Sequence, residues 1–404
     1  MSLRVAVIGG GAAGFFAAIS AKSHHPEAEV VLYERSTKPL AKVKVSGGGR
    51  CNVTHACFQP SQLVGFYPRG SKQLRKAFGT FHTTHTVDWF ESRGVKLKTE
   101  SDGRMFPITD SSQTVIDCLM GELRKLRIPL NIKSPVSNIK NVDNGFRLSI
   151  GDQSVFVHKV IVASGGSPKR SGLAWLEALG HPIVDPVPSL FTFNMPGEPI
   201  RELMGLSAPE ATVHIQGSKL RSTGPLLITH WGMSGPAILK LSAFGARDLA
   251  DRNYQFKAQV QWVTGHKEND LLELIVEQQE QHPKQKLFSR PVVELPKRLW
   301  HFLLEKVELS AATTWGELGR KGRNRLINVL LNDVYTVSGK TTFKEEFVTC
   351  GGVSWEQVAP QTLQSKVLPG LYFAGEVLDV DGVTGGFNFQ AAWTTGFIAG
   401  QLKD

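Results

Sequence analysis

The amino-acid sequence predicts an α/β fold in which one parallel-sheet domain is interrupted by an inserted region of strands and helices. Residues 5–8 are continuously apolar, as in a buried parallel strand, and they lead through a glycine-rich turn into an alanine-lined helix. Short segments that alternate apolar and polar residues begin at 186, and helical periodicity follows over 268–335. We therefore predict four segments: the first part of the domain at 1–185, a β-barrel-like insertion at 186–265, a helical subdomain at 266–336 and the closing part at 337–404.

Within the first part, apolar runs and periodicity place the individual elements. A helix begins near Ala12, and a second strand covers 29–34, which completes a βαβ unit. Helical periodicity extends over 71–94 and 111–127. Three strands fit within 146–166, and the last of them is wholly apolar, as expected for another strand of the parallel sheet.

Composition and cysteine usage are typical of a protein from a reducing compartment. The 404 residues are 41% hydrophobic and 20% charged, as in ordinary globular proteins, and no apolar run is long enough to cross a membrane. Residues 1–4 lead directly into a strand, so we expect no signal peptide and a cytoplasmic location. The four cysteines are too few for a disulfide framework. Cys51, His55 and Cys57 lack the spacing of common zinc sites, so we expect no metal.

A glycine-rich turn after the first strand predicts a dinucleotide site. Gly9, Gly11 and Gly14 fit the pattern G-x-G-x-x-G, which is a weak signal alone. Here the pattern follows a strand and opens a helix, and Glu34 ends the second strand, where it can bond a ribose. The free N–H groups and the dipole of the helix favour a pyrophosphate. The alternative is a glycine-rich turn without a ligand.

The closing part of the chain favours FAD among the dinucleotides. A buried strand is predicted at 368–377, and a helix over 386–400 follows a glycine pair. A long cofactor needs a second contact point, so Gly375 and Glu376 can serve the pyrophosphate and the ribityl chain. The N-terminus of the last helix can then face the flavin ring, where reduction builds negative charge. An NAD site has no need of this element, so we predict non-covalent FAD.

A third glycine cluster occurs at 47–49, within the segment KVSGGGRCN. Three adjacent glycines are unfavourable in a helix or strand because each loses much backbone entropy on folding. We interpret them as a place where the backbone lies so close to a ligand that no side chain fits.

Four segments together resemble the BaiN/aminoacetone-oxidase-type family of bacterial FAD-dependent oxidoreductases. They are KVSGGGRCN at 44–52, THWGMSGPAIL at 229–239, VTCGGV at 348–353 and GLYFAGEVLDVDGVTGGFN at 370–388. The resemblance covers nearly the whole chain and implies a Rossmann-like FAD/NAD(P)-binding domain of the glutathione-reductase type, with an inserted β-barrel plus helical subdomain. Activities in the family are reduction of a conjugated C=C in steroid acids, oxidation of aminoacetone and formation of dihydrouridine in ribosomal RNA.

The resemblance places the 47–49 segment along the flavin, with its N–H groups free to bond the cofactor. Ser46, Arg50 and Asn52 would be polar anchors there, and Cys51 would lie near the ring. The complete set of expected cofactor-binding residues is Gly9, Gly11, Ala12, Ala13, Gly14, Glu34, Arg35, Lys42, Ser46, Gly47, Gly48, Gly49, Arg50, Cys51, Asn52, Val136, Ala163, Ser164, Gly165, Gly375, Glu376, Gly385, Gly386, Phe387 and Asn388.

His230 and Cys51 are the candidate catalytic residues. The resemblance places His230, in the 229–239 segment, at the junction of the inserted region and the flavin, where it would act as a general acid. The alternative is a hydrogen-bonded structural histidine. For Cys51, a small buried filler is favoured over a redox thiol.

The chain departs from the family pattern at three places. Leu40 and Ala41 replace a Gly-Arg pair, Cys350 replaces an alanine, and the segment 163–181 is several residues short. Because that segment is expected near the mouth of the active site, substrate access and specificity can differ from those of other members.

We expect an FAD-dependent oxidoreductase that reduces a conjugated or polarised C=C through reduced flavin, with NAD(P)H as a transient donor. No second G-x-G-x-x-G occurs in the sequence, so the nicotinamide would visit the same site as the substrate and leave, which gives ping-pong kinetics. The alternatives are a flavin amine oxidase for an aminoacetone-like substrate and an RNA-binding flavoprotein or rRNA uridine reductase.

The formal net charge of +10 suggests a phosphate-bearing partner. Two basic clusters could contact RNA phosphates, and Trp231 or Phe387 could stack on an extruded base. The clusters are Arg69, Lys72, Arg75 and Lys76 on a predicted helix, and Arg320, Lys321, Arg323 and Arg325 in a glycine-containing segment. Both clusters can also be simple solvated faces. The expected partner is therefore a small-molecule substrate or RNA, without a membrane.

Overall fold

The computed structural model describes residues 2–342 and 348–404, which form two compact units. The outer unit combines the residues up to Ser189 with those from Val348 onward, and the inserted unit is Leu190–Thr342. The sequence predicts the breaks after 185 and 336. The second of these would divide a strand, Asp333–Ser338, that lies wholly in the inserted unit.

Before the insertion, the outer unit contains eleven strands and seven helices among its described residues. The strands are β1 Arg4–Ile8, β2 Glu29–Tyr33, β3 Thr54–His55, β4 Leu97–Thr99, β5 Arg104–Pro107, β6 Leu130–Asn131, β7 Val136–Val142, β8 Gly145–Ile150, β9 Gln153–Val157, β10 Lys159–Val162 and β11 Ile183–Ser189. The helices are α1 Ala12–His24, α2 Ala41–Gly49, α3 Pro60–Leu63, α4 Ser71–Phe78, α5 Thr83–Glu91, α6 Ser112–Lys125 and α7 Ala174–Glu177.

The inserted unit mixes short strands with longer helices, and the chain then returns to the outer unit. The inserted strands are β12 Thr192–Asn194, β13 Ser207–Ile215, β14 Arg221–Ile228, β15 Gly232–Ser234, β16 Gln255–Gln261, β17 Asp333–Ser338 and β18 Lys340–Thr341. The inserted helices are α8 Pro236–Phe244, α9 Ala246–Asp251, α10 Glu268–Gln281, α11 Lys297–Lys306 and α12 Arg320–Leu331. The returning elements are β19 Val348–Val353, β20 Leu371–Phe373 and α13 Phe387–Gly400. None of the helices in the described residues is long and apolar enough to cross a membrane.

A five-stranded sheet in the order β20-β10-β1-β2-β6 organises the outer unit. All its strand pairs are parallel, so the carboxyl ends of the strands lie at one edge, where ligands of such sheets bind. That edge brings together Gly9 after β1, Glu34 after β2, Ala163 after β10 and Ala374 after β20. The outer unit also contains two antiparallel sheets, β3-β5-β4 and β7-β8-β9, and the antiparallel pair of β11 with β19.

The first and last helices, α1 and α13, pack closely together. A Cβ added to Gly396 would lie 2.5 Å from the Ala13 carbonyl oxygen, and one added to Gly400 would lie 2.6 Å from that of Ala17. Because hydrogen is the largest side chain that fits at either glycine, the two backbones can approach each other. Most of both helices is buried. The contact therefore joins the two ends of the chain in one core.

The inserted unit is built on a seven-stranded sheet in the order β17-β16-β13-β14-β15-β12-β18. Its two end strands, β17 and β18, are successive parts of one stretch that is interrupted at Gly339, whose carbonyl oxygen accepts the N–H of Asn194. The sheet therefore closes on itself, in agreement with the β-barrel-like insertion that the sequence predicts. Its interior shares one hydrophobic core with α10, α11 and α12, so the separately predicted β and helical segments form one unit.

Two predicted helices differ from the structure. The periodicity over 71–94 is divided into α4 and α5, because the His82 side chain accepts the N–H of Thr84 and starts a new helix. The helix predicted to reach 335 ends at Leu331, because the chain enters β17 at Asp333 and pairs with β16. In both cases a local partner or a sheet neighbour overrides helical periodicity.

We predict opposite effects from two glycine-to-alanine changes in helices of the outer unit. Gly396→Ala places a methyl group 2.5 Å from the Ala13 carbonyl oxygen and should lower the free energy of unfolding by about 1–3 kcal/mol. Gly121→Ala, in α6, meets no heavy atom within 4 Å and should raise it by up to about 1 kcal/mol through helix propensity. Urea denaturation of both variants is the measurement. Equal shifts of the two midpoints would show that α1 and α13 are loosely packed.

Candidate functional site

The turn after β1 has the geometry of a pyrophosphate site. A Cβ on Gly9 would lie 2.3 Å from the Ala163 carbonyl oxygen, and one on Gly14 would lie 1.8 Å from that of Gly9. Both positions therefore need glycine for packing, whereas a Cβ on Gly11 would meet nothing within 4 Å. The first turn of α1, residues 12–14, leaves its N–H groups without partners in the helix, so these groups and the helix dipole favour an anion beside Gly11.

Glu34 closes this turn from the end of β2. Its two carboxylate oxygens accept the N–H groups of Gly10 and Ser36, each at 2.7 Å. Each oxygen has a second lone pair, so the carboxylate can still accept from ribose hydroxyls. The neighbouring Arg35 is exposed. The position of Glu34 is compatible with the predicted ribose contact.

Three glycines lie at the end of α2, where the helix breaks. Their φ angles are +58° at Gly47, +68° at Gly48 and +87° at Gly49, all in the left-handed region that favours glycine. A Cβ on Gly47 would also lie 2.9 Å from the Phe106 ring, whereas Gly48 and Gly49 face open space. Backbone conformation thus explains all three glycines, and close approach to a ligand is a further reason at Gly48 and Gly49.

Two predicted anchors beside these glycines are bonded to the protein. Ser46 Oγ donates to the Val43 carbonyl oxygen at 2.9 Å. Arg50 Nη1 donates to Glu100 Oε1 at 2.6 Å, and its guanidinium lies 4.0 Å from the centroid of the Phe106 ring. These contacts shape the turn and hold it against β5. The predicted contacts of Ser46 and Arg50 with the cofactor stay predictions.

Asn52 links the glycine turn to the last helix. With its amide oriented by its hydrogen bonds, its oxygen accepts the N–H of Gly386 at 3.0 Å and its nitrogen donates to the Thr54 carbonyl oxygen at 2.9 Å. A Cβ on Gly386 would lie 2.6 Å from the same carbonyl. The start of α13 therefore contacts the segment that follows the glycine turn, and two of the predicted flavin-binding elements meet there.

Cys51 is fully buried between these residues. Burial raises the pKa of its thiol to about 12, against a smaller lowering by a hydrogen bond with Ser46. A thiol with that pKa stays protonated near neutral pH and offers no nucleophilic thiolate. The structure thus favours the packing interpretation of Cys51 over the redox one.

The segment after β20 contacts α1 directly. A Cβ on Gly375 would lie 2.7 Å from the Cβ of Ala13, and the φ of Gly375 is +77°. The Gly375 N–H donates to Thr395 Oγ1, on α13, at 2.8 Å. Close packing and a left-handed backbone both require glycine here. The second predicted contact point for the cofactor therefore lies beside the first turn of α1.

The Glu376 carboxylate interacts with polar groups from distant segments of the chain. Its carboxylate pairs with Lys42 at 2.7 Å and accepts the N–H of Thr349 at 2.9 Å. Within the described residues, Thr349 Oγ1 is buried without a hydrogen-bond partner, and a Cβ on Gly166 would lie 2.8 Å from it. A buried hydroxyl without a partner is unfavourable, so Thr349 is a candidate ligand contact. Thr349 is absent from the residues that the sequence predicts to bind the cofactor, although it belongs to the VTCGGV segment.

The start of α13 has a fixed shape. Phe387 is buried, and its ring stacks on those of Phe66 and His55 with centroids 4.2 and 4.6 Å away. The Asn388 amide accepts from the N–H of Gly382 at 2.8 Å and donates to its carbonyl oxygen at 2.9 Å. The prediction that Phe387 stacks on an extruded base is wrong, because its ring is buried against protein rings.

The other predicted cofactor-binding residues lie on separate elements. Ala163, Ser164 and Gly165 follow β10 at the carboxyl edge of the parallel sheet, and a Cβ on Gly165 would meet nothing within 4 Å. Gly385 has a φ of +126° just before α13. Val136 begins β7 and pairs with β8 in an antiparallel sheet, and its contact with the cofactor stays a prediction.

His230 lies in the inserted unit, in the turn between β14 and β15. Its side chain is exposed, and its ring centroid lies 4.5 Å from that of Trp231. Its carbonyl oxygen accepts from Arg201 Nε at 2.8 Å, which holds the backbone of this turn. An exposed imidazole can exchange protons with solvent. The role of His230 as general acid stays a prediction.

The first basic cluster is only partly available to a partner. Lys72, Arg75 and Lys76 are exposed on α4. Arg69 is instead half-buried and pairs with the buried carboxylate of Asp381. This ion pair connects the start of α4 to the segment before α13, so Arg69 has a structural role.

The second basic cluster forms the first half of α12. Arg320 and Lys321 are exposed at its N-terminus. Arg323 Nη1 donates to a glutamine of α10 at 3.2 Å, and Arg325 lies 3.5 Å from Glu308. Two of the four cations are thus engaged within the inserted unit.

The carboxyl edge of the parallel sheet fits an extended dinucleotide with a flavin. The space at Gly11 and the start of α1 suit a pyrophosphate, and Glu34 retains lone pairs for a ribose. Gly48 and Gly49 leave open space further along, beside a second helix N-terminus at Gly386. A Rossmann domain with these features defines the class of FAD-dependent oxidoreductases, and this protein is one of them.

A family comparison agrees with this class. The family described as "HI0933-like protein Rossmann domain" matches residues 3–402, so the chain belongs to it. This match confirms the FAD-binding Rossmann fold and the family resemblance of the sequence.

Two relatives align over nearly the full length of both chains. The ribosomal RNA dihydrouridine synthase of Escherichia coli is 29% identical over 411 residues, which are 98% of this chain and 96% of the relative. The 3-dehydro-bile acid delta(4,6)-reductase of Clostridium scindens is 28% identical over 406 residues, which are 98% of each chain.

Solved structures share the fold at lower identity. The 3-ketosteroid delta1-dehydrogenase of Sterolibacterium denitrificans superimposes with a TM-score of 0.52 at 12% identity, over 98% of each chain. The 3-ketosteroid-delta4-(5alpha)-dehydrogenase of Rhodococcus jostii RHA1 gives a TM-score of 0.51 at 12% identity, over 100% of this chain and 97% of that one.

We predict that Gly48→Val strongly weakens FAD binding without unfolding the protein, because its side chain would enter the open space beside the turn. Gly94→Val is a matched control: its φ of +83° resembles the +68° of Gly48, and its Cβ also meets nothing within 4 Å. Both variants carry similar backbone strain. Only Gly48→Val should weaken FAD binding, by about tenfold or more, equivalent to ~1.4 kcal/mol. Flavin absorbance per protein after reconstitution is the measurement, and equal loss in both variants would contradict the assignment.

We also predict that Cys51→Ala retains the rate of flavin reduction, because the wild-type thiol stays protonated. The change should lower stability by about 1 kcal/mol through lost packing. Cys57→Ala, at another buried cysteine, is the control. Rapid-mixing reduction of the FAD-loaded variants is the measurement. A rate loss confined to Cys51→Ala, with full FAD content, would restore the redox role.

Proposed function

We propose that the protein reduces a polarised C=C bond of its substrate, with NAD(P)H as the source of the electrons. The observation that carries this proposal is the contact of Asn52 with the N–H of Gly386 at 3.0 Å. Because of this contact, the positive N-terminal end of the 14-residue helix α13 lies close to the glycine turn at 47–49, which faces open space. A helix N-terminus at this place stabilises negative charge, which is the charge that builds on a flavin when it is reduced.

FAD, when bound, supplies the hydride chemistry, and the side chains and backbone of this protein supply binding and electrostatics. The start of α1 would bind the pyrophosphate, and Glu34 would orient the ribose. Asn52 and the Asn388–Gly382 hydrogen bonds fix the start of α13 before any ligand arrives. Because these groups are already held in place, little reorganisation accompanies the reaction.

The names of two relatives support a reduction rather than an amine oxidation. One relative is named a reductase of a 3-dehydro-bile acid, and the other is named for its product, dihydrouridine, which is uridine with two added hydrogens. In this proposal the substrate contains a C=C next to a carbonyl, which accepts a hydride at one carbon and a proton at the other.

His230 is our proposed donor of that proton. Its imidazole is exposed and lies beside Trp231, whose ring can lie against a flat unsaturated substrate. A side chain that donates a proton to the reacting carbon accelerates this kind of step.

NAD(P)H is proposed as a transient visitor, because the sequence contains a single G-x-G-x-x-G. The donor would leave before the substrate binds, which gives ping-pong kinetics. A cytoplasmic location is part of the proposal, since the four cysteines are free and NAD(P)H is available there.

Anaerobic reduction of the FAD-loaded protein, followed by reoxidation, tests the proposal. We expect NADPH or NADH to bleach the flavin and an α,β-unsaturated ketone or a uridine-containing RNA to restore its colour, with one acceptor reduced per flavin. Initial rates with both substrates varied should give parallel double-reciprocal lines. Oxygen uptake with aminoacetone and no NAD(P)H would instead favour the amine oxidase. A flavin that stays oxidised with both nucleotides would contradict the proposed reaction and favour a structural flavin.

A further inference from the structure

A polar groove lies on the inserted unit, and none of its lining residues belongs to the set expected to bind FAD. Its volume is about 700 Å³, and it lies over the face of β13, β14 and β16 that is turned away from the core. Side chains alternate between the two faces of a strand, so Thr212 and His214 line the groove while Val213 is buried in the core.

Three cations surround this groove. Lys219 lies in the turn between β13 and β14, Arg221 begins β14, and Lys267 immediately precedes α10. All three are exposed, and across residues 2–342 and 348–404 none of them forms an ion pair. No carboxylate lines the groove in the described part of the chain. The positive charge is therefore available to an anion.

The groove is held in shape by its own hydrogen bonds. Arg221 Nη2 donates to Gln261 Oε1 at 3.3 Å, and the Gln261 amide nitrogen is itself bonded to two backbone carbonyls. The remaining N–H groups of the guanidinium can serve a phosphate. His214 Nε2 donates to the Ser218 carbonyl oxygen at 2.9 Å, which holds the turn that carries Lys219. The cations thus project from a pre-organised surface.

The positive charge of the groove comes from these side chains and not from the N-terminus of α10. Asp270 Oδ2 accepts the N–H of Lys267 at 2.8 Å, so the N-terminus of α10 already has an anionic partner. The Asp270 carboxylate does not line the groove.

We propose that this groove binds the sugar–phosphate backbone of single-stranded RNA. Its three cations match phosphates, and the amides of Gln259, Gln261 and Asn332 can bond ribose 2′-hydroxyls. Leu331 is the one large apolar side chain among the lining residues in the described part of the chain, so the groove suits neither a steroid nor a membrane. No Phe, Tyr or Trp lines it there, and the rings of His214 and His266 are hydrogen-bonded to backbone carbonyls, so the contacts position a strand without reading its bases. The net charge of +10 attracts such a polyanion from a distance.

Fluorescence anisotropy with a short labelled single-stranded RNA, over a series of salt concentrations, tests this proposal. The variant Lys219→Ala/Arg221→Ala/Lys267→Ala should bind at least about tenfold more weakly at low salt, and the slope of log K against log salt should fall by about 2, at ~0.7 per phosphate contact. The control Arg124→Ala/Lys140→Ala/Arg147→Ala removes the same charge from exposed positions of the outer unit and should bind like the wild type. DNA of the same sequence should bind more weakly.

Three results would overturn the proposal: equal losses in the two triple variants, loss confined to Lys72→Ala/Arg75→Ala/Lys76→Ala, or equal binding of DNA and RNA. The thermal midpoint and FAD content of each variant show whether it is folded. The measurement uses the oxidised FAD-loaded protein without NAD(P)H, so its outcome is independent of the proposed reduction. If the groove fails to bind RNA, the proposed reduction still stands. If the reduction fails, the proposed RNA site still stands.

Discussion

The backbone contact between the first and last helices is the constraint on which the outer unit depends. Gly396 and Gly400 have no side chain, so α13 lies directly against α1, with Ala13 and Ala17 at the contact. The same packing brings Gly375 against Ala13. The N-terminal turn and the C-terminal helix, which are far apart in sequence, therefore face the same edge of the sheet. An extended cofactor needs both of them, so its site exists because two helices can approach closely.

Glycines at the site serve two different physical purposes. Gly9 and Gly14 are required by protein packing, because a Cβ there would collide with a backbone carbonyl. Gly11 and Gly48 have open space around the missing Cβ, which a ligand can occupy. Leu40 is one of the departures from the family pattern. It stands where the pattern has a glycine, yet it keeps a φ of +56°. Its side chain is fully buried, and this burial offsets the strain of a left-handed backbone.

Local patterns in the sequence predict much of this fold, and distant partners explain what they miss. The βαβ unit, the glycine turn and Glu34 are recognisable because strand, turn and helix signals lie within one short stretch. The partners of Arg50 and Asn52 are not recognisable in this way, since Glu100 and Gly386 are brought to them by the tertiary fold. The same holds for the buried hydroxyl of Thr349. Helical periodicity also fails after Leu331, where pairing with β16 determines the structure.

The position of β20 at the end of the sheet has a consequence for synthesis. Strand β10 lies between β1 and β20, so until residues 371–373 leave the ribosome one side of an apolar strand has no hydrogen-bonding neighbour. Translation adds about 5–20 residues per second, so the inserted unit, which has its own core, has several seconds to fold in this interval. Cofactor loading is therefore a late event, because α13 is translated after the other elements of the site. A message truncated before β20 would yield an incomplete sheet and an aggregation-prone chain, not a smaller flavoprotein.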